Sequence, residues 1–88
     1  MEFRITAPCK GTRVFDVIPK QEVNINMSIL ATKLEEAGYR VDEVNNLFLI
    51  ASADHLSITV YRRGRIVVKE AKNEEEAKEI GRKIYSLL

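Results

Sequence analysis

Residues 58–88, ITVYRRGRIVVKEAKNEEEAKEIGRKIYSLL, constrain the fold of this chain more than any other stretch. Two runs, 56–61 with apolar residues at alternate positions and 65–71, flank Arg62-Arg63-Gly64. Glycine accepts the positive φ of a tight antiparallel turn, so the two runs read as a β-hairpin. Asn73 follows as a helix N-cap, and Glu76, three residues on, can return a hydrogen bond to the cap amide. Glu74, Glu75 and Glu76 meet the positive end of the helix dipole, while Arg82 and Lys83 lie toward its negative end. Ala77, Ile80, Gly81, Ile84 and Leu88 make one apolar stripe. Gly81 costs roughly 1 kcal/mol against alanine in mid-helix. Its presence predicts a close approach of helix to sheet.

Upstream, residues 2–6 alternate Phe3 and Ile5 with polar neighbours and read as a strand. Ala7, Pro8, Cys9, Lys10 and Gly11 supply a turn. Residues 12–18 read as a second strand, ended by Pro19, which cannot donate to a ladder. A helix begins at Ser28 or at Asn26, both good caps, carries Leu30, Leu34 and Ala37 on one face and stops at Gly38. Residues 39–46 are polar, with a short strand at 40–44. Residues 47–52 form a stronger strand, with Leu47, Leu49 and Ala51 on one face and Phe48 and Ile50 on the other. Apolar residues on both faces mark a central strand or an interface. The resulting order is β-β-α-β-β-β-α plus the strand near Val41. It predicts an α+β fold, one antiparallel sheet with two helices packed on one face. The other face is then free for use.

Eighty-eight residues make one domain, and 45% hydrophobic with 31% charged residues marks it as globular. The net charge of +1 does not supply the strongly basic total of many nucleic-acid binders, though a local patch fits within it. The single cysteine, Cys9, excludes an internal disulfide and any CxxC pair. No apolar run approaches the ~20 residues of a membrane span, and the N-terminus shows no signal-peptide pattern. A cytoplasmic protein without membrane partners is the expectation. The dominance of Glu, Lys and Arg among charged residues, with no Trp, fits a thermophile.

The hairpin and helix carry a resemblance. Residues 58–75, ITVYRRGRIVVKEAKNEE, are similar without a gap to the pattern LIFxSGKxVxTGAKSEE of a TATA-binding protein repeat. The helix continues in kind as EAKEIGRKIYSLL, and a looser similarity reaches back through residues 28–46. The whole chain also resembles a small archaeal protein of methanogen type. The resemblance implies half of a TATA-binding protein fold. Members of that family lay a concave sheet in the DNA minor groove and wedge phenylalanines between base steps. By position Tyr61 matches one wedge, and Phe48 falls near the other. The chain also departs from the pattern. Tyr61 adds a hydroxyl, Glu70 stands where the family has the small residue of its TG pair, and one repeat needs a homodimer to make a saddle.

Three uses compete for the surface. Protein partners or a second copy suit the open sheet face, where Phe48, Ile50 and Tyr61 fall. Nucleic acid or phosphate suits Arg62, Arg63, Arg65 and Lys69, because arginine forks match phosphate oxygens. The bland reading of that cluster is a charged hairpin tip that discourages edge pairing. A hard cation such as Ca²⁺ or Mg²⁺ suits oxygen ligands from Glu35, Glu36, Asp42, Glu43, Asn45 and Asn46, although no EF-hand spacing is present. Their bland reading is a solvated helix end. No cofactor is required. No paired acid and base, activated nucleophile or phosphate loop stands out, so a non-enzymatic binding module is expected. Cys9 with His55 would make a nucleophile only in a geometry that spacing does not supply.

Overall fold

A computed structural model describes residues 2–7 and 13–88 of the chain. Most of the expected Ala7–Gly11 turn, and the Cys9 thiol, lie outside the described residues. The elements in order are β1 (Phe3–Thr6), β2 (Val14–Pro19), α1 (Met27–Glu36), β3 (Arg40–Val44), β4 (Phe48–Ala53), β5 (Leu56–Tyr61), β6 (Ile66–Lys69) and α2 (Glu74–Ser86).

The strands form one six-stranded sheet in the order β1-β2-β6-β5-β4-β3, every neighbour antiparallel. The register sorts side chains by parity, since directly opposed residues share a face. Phe3, Ile5, Val17, Leu49, Ala51, Ile58, Val60, Ile66 and Val68 fall on one face, where α1 and α2 pack. Val17, Leu49, Ile58, Val60, Ile66 and Val68 are fully buried there. Each such side chain contributes ~1.5–3 kcal/mol by leaving water. The arrangement is the α+β, half TATA-binding-protein architecture that the hairpin and helix implied.

The helices begin where side-chain oxygens meet free amides. Asn26, not Ser28, caps α1, its Oδ1 accepting from the Ile29 amide at 3.1 Å. Ser28 thus lies inside the first turn, and the buried stripe is Met27, Leu30, Ala31 and Leu34, with Ala37 exposed at the C-cap. Asn73 caps α2 by accepting from the Glu76 amide at 2.9 Å. Glu76 reaches back to the Lys72 amide at 2.7 Å, one residue before the cap. The stripe of α2 ends on Tyr85, which is buried, while Leu88 is 44% exposed.

Gly81 does bring α2 close to the sheet. A Cβ at that position would stand 2.9 Å from Val17 Cγ1. Gly64 turns the β5–β6 hairpin with φ +107°. The chain leaving β2 lies along this turn, with the Val23 and Ile25 amides donating to the Arg63 and Arg62 carbonyls. Pro19 closes β2 rather than following it. No helix among the described residues is long and apolar enough to cross a membrane.

Candidate functional site

Because both helices occupy one side, the opposite face of the sheet is left uncovered by any element among the described residues. Parity assigns it Arg4 and Thr6 from β1, Val14, Asp16 and Ile18 from β2, and Val67 and Lys69 from β6. Ser57, Thr59 and Tyr61 from β5 and Phe48, Ile50 and Ser52 from β4 complete its centre. The middle of this face is therefore apolar and hydroxyl-bearing, with charge toward its margins.

Phe48 and Tyr61 stand directly opposite one another across β4 and β5. Their ring centroids are 6.4 Å apart with a tilt of 57°. Such a pair is attractive beyond its area. Tyr61 keeps 37% of its surface exposed, so the pair meets solvent. Ile50 lies one pleat further along the same face, opposite Thr59. These are side chains available for contact, not core.

The arginines of the hairpin separate. Arg65 leans over the open face, its guanidinium carbon 5.6 Å from the centre of the Tyr61 ring, close enough for a cation–π contact. The same guanidinium donates to Asp16 at 2.9 Å. Asp16 is, among the described residues, the one buried charged side chain. A polar residue in the middle of the VFDVIP strand signalled it, but nothing in the sequence paired it with Arg65. Arg63 instead donates to Glu22 at 2.8 Å, beyond the end of the sheet. Arg62 lies in the turn beside it, and Lys69 lies at the far end of β6, opposite Val14. Four residues of strand, roughly 13 Å, separate Lys69 from Arg65.

The oxygen-rich set also separates. Glu35 and Glu36 are exposed at the end of α1. Asp42 accepts from Arg40 Nε at 2.8 Å and from Ser52 Oγ at 3.0 Å. Asn45 accepts from the Leu47 and Phe48 amides, shaping the turn into β4. Glu43 projects from a bulged edge, opposite Ile50. Asn46 is exposed in the same turn. Among the described residues no three His, Cys, Asp or Glu side chains gather as a metal cluster.

On the helix side, a groove of about 660 Å³ runs between the end of α1, the β4–β5 turn and the outer flank of α2. His55 and Glu76 meet at its rim at 3.0 Å. Hydrogen bonding, first from His55 and then from the Lys72 amide, holds the Glu76 carboxyl below its usual range. Tyr39 lines the same groove, and burial raises its phenol above the ordinary value.

Comparison with known proteins agrees with the shape of the sheet. Residues 17–88 match the family described as transcription factor TFIID, or TATA-binding protein. The TATA-box-binding protein of Pyrobaculum calidifontis is 33% identical over 66 residues, covering 75% of this chain and 33% of that protein. The TATA-box-binding protein of Pyrobaculum neutrophilum is 33% identical over 66 residues, covering 75% of this chain and 34% of its own length. The chain thus spans about a third of the length of the curated relatives it matches. No solved structure gives a significant match.

Proposed function

The chain belongs to the TATA-binding protein family, and on that footing we propose that it is a non-enzymatic module whose open sheet face binds duplex DNA in the minor groove. The observation that carries the reading is the Phe48–Tyr61 pair, exposed on an uncovered sheet with Arg65 held beside it. Six strands at ~4.8 Å spacing make a surface about 24 Å wide. That is enough for roughly seven base pairs at ~3.4 Å each.

The chemistry follows from the face. Aromatic rings wedge into a base step and kink it, which costs least at flexible TA steps. Ile18, Ile50 and Val67 fill the floor of a widened groove, and Ser57 and Thr59 can donate to acceptors on base edges. Arg4 and Lys69 reach phosphates, as does Arg65 once it leaves Asp16. The names of the Pyrobaculum relatives support an A·T-rich target.

The test is fluorescence anisotropy with A·T-rich and G·C-rich duplexes of equal length across a salt series. The expected result is tighter binding to the A·T duplex, weakening as salt rises. Phe48→Ala removes the preference. Tyr61→Phe, which spares a hydroxyl from entering the base stack, strengthens binding about tenfold, on a desolvation cost of ~1–2 kcal/mol. Equal, feeble binding to both duplexes at about 50 mM salt sinks the reading.

A protein seated on the same face is the second reading. Asp16 favours it, because a carboxylate there repels phosphate whenever Arg65 moves away. A partner with a basic residue opposite Asp16 meets no such penalty. Asp16→Asn separates the two, strengthening DNA binding and weakening a basic protein partner.

A further inference from the structure

The sheet has two outer edges, and they are built differently. β3 is bulged between Val41 and Glu43 and carries Arg40, Asp42 and Glu43. Bulges and charges are how edge strands are kept from pairing. β1 is a four-residue strand, FRIT, paired to β2 without a register shift. It precedes the family-matched residues 17–88.

Hydrogen-bond alternation shows which groups of β1 are free. The Lys20 amide donates to the Glu2 carbonyl at 3.0 Å, so Glu2 and Lys20 are a hydrogen-bonded pair. Arg4 with Ile18 and Thr6 with Asp16 are then the next bonded pairs, each two residues further on. The main-chain N–H and C=O of Phe3 and Ile5 point away from β2, and nothing among the described residues covers them. The side chains of Phe3 and Ile5 are only half-buried beside α2.

We propose that a second copy of this chain pairs on this edge, β1 antiparallel to β1, centred on Ile5. Symmetry and parity leave two registers that pair three residues of β1 in each copy, because residues opposed across the pair must share a face. One centres on Arg4. It sets two like charges opposite each other at the narrow, non-bonded spacing, which is unfavourable. The other centres on Ile5. It uses the outward groups of Ile5 in a bonded pair, sets Arg4 opposite Thr6 and sets Phe3 opposite Ala7. It also covers the half-buried Phe3 and Ile5 of both copies. The second register avoids the charge clash.

The pairing deepens the open-face reading by joining two open faces into one twelve-stranded surface, twice the six of one copy. A short edge contact makes a weak, concentration-dependent dimer.

The experiment is sedimentation equilibrium of the full 88-residue chain, without DNA. A monomer–dimer equilibrium is expected in the parent. Ile5→Pro removes an outward N–H while leaving the β1–β2 bonds in place, and abolishes the dimer with the circular dichroism spectrum unchanged. Two charge variants read the register. With Ile5 at the centre, Thr6→Glu faces Arg4 of the other copy and tightens the dimer several-fold, while Thr6→Lys loosens it. With Arg4 at the centre, Thr6 faces Glu2 and both signs invert. A monomer throughout, up to about 1 mM, overturns the proposal, as does a dimer indifferent to Ile5→Pro or with inverted signs. Because the assay contains no DNA, its failure leaves DNA binding by a single copy standing.

Discussion

The Tyr85 hydroxyl donates to the Gly64 carbonyl at 2.6 Å, filling a bond that Pro19 is unable to make. Extending the Val17–Ile66 register by two residues sets Pro19 opposite Gly64. Proline has no N–H, so the carbonyl takes its proton from α2 instead. Burial pushes the Tyr85 phenol well above its ordinary value, keeping the donor protonated.

Tyr85→Phe leaves the Gly64 carbonyl without that donor at a cost of about 1–3 kcal/mol. Pro19→Ala restores a main-chain donor at the same place. In that background Tyr85→Phe costs clearly less, a coupling that urea denaturation of the two single variants and the double variant measures. Strict additivity refutes the substitution of one donor for the other.

Glu70 adopts φ +66°, in the left-handed region. A side chain there costs ~1–2 kcal/mol, while glycine loses ~0.5–1 kcal/mol more backbone entropy on folding. Glu70→Gly therefore raises stability by up to about 1 kcal/mol, or a melting temperature some 4–8 °C higher. A lower melting temperature would show that the Glu70 side chain makes contacts that outweigh the strain.

Acid weakens the tie between the β4–β5 turn and α2. The Glu76 carboxyl, hydrogen-bonded by His55 and by the Lys72 amide, titrates below its ordinary 4.5 in the folded protein. A depressed folded value adds stability above the unfolded value, and that stability disappears as pH falls through the folded one. The parent is expected to exceed Glu76→Gln in stability near neutral pH, and the gap to close below pH 4.5. A gap that stays constant with pH refutes the ionic contribution.

Gly81→Ala tests the contact between α2 and β2. Alanine gains about 1 kcal/mol of helix propensity. The new Cβ meets Val17 Cγ1 at 2.9 Å in a fully buried, stiff side chain, and overpacking of that kind costs ~1–3 kcal/mol. Net destabilisation is expected, read from the denaturation midpoint. A stabilised variant would mean that the helix moves outward freely.

Local signals carried much of this fold. The turn at Gly64, the cap at Asn73 and the alternation in residues 56–61 each depend on neighbours within a few positions, and each is where the sequence placed it. Gly81 announced a close contact, but only the structure names Val17 as the neighbour. Long-range relations were hidden. The pairing of β2 with β6, the Asp16–Arg65 ion pair and the dispersal of the hairpin arginines all depend on strands far apart in the chain. Asn26, not Ser28, caps α1, and Met27 directly after it is buried, a tertiary fact that local cap preference does not carry. The Phe48–Tyr61 pair was legible as two aromatics on one face. Their direct opposition needed the register.

Strand order also dictates a timetable for folding. β3 to β6 are linked by tight turns and can assemble as a local meander, while β1 and β2 form a separate hairpin at the other end of the chain. Within the sheet the two halves join through β2 against β6, where Val14 lies opposite Lys69, and α2 then packs across both. Closing that long loop is the slow, non-local step. During synthesis at ~5–20 residues per second, the first hairpin must wait several seconds for β6 to emerge. Until then the apolar edge of β2 is open to capture, by a chaperone or by another nascent copy.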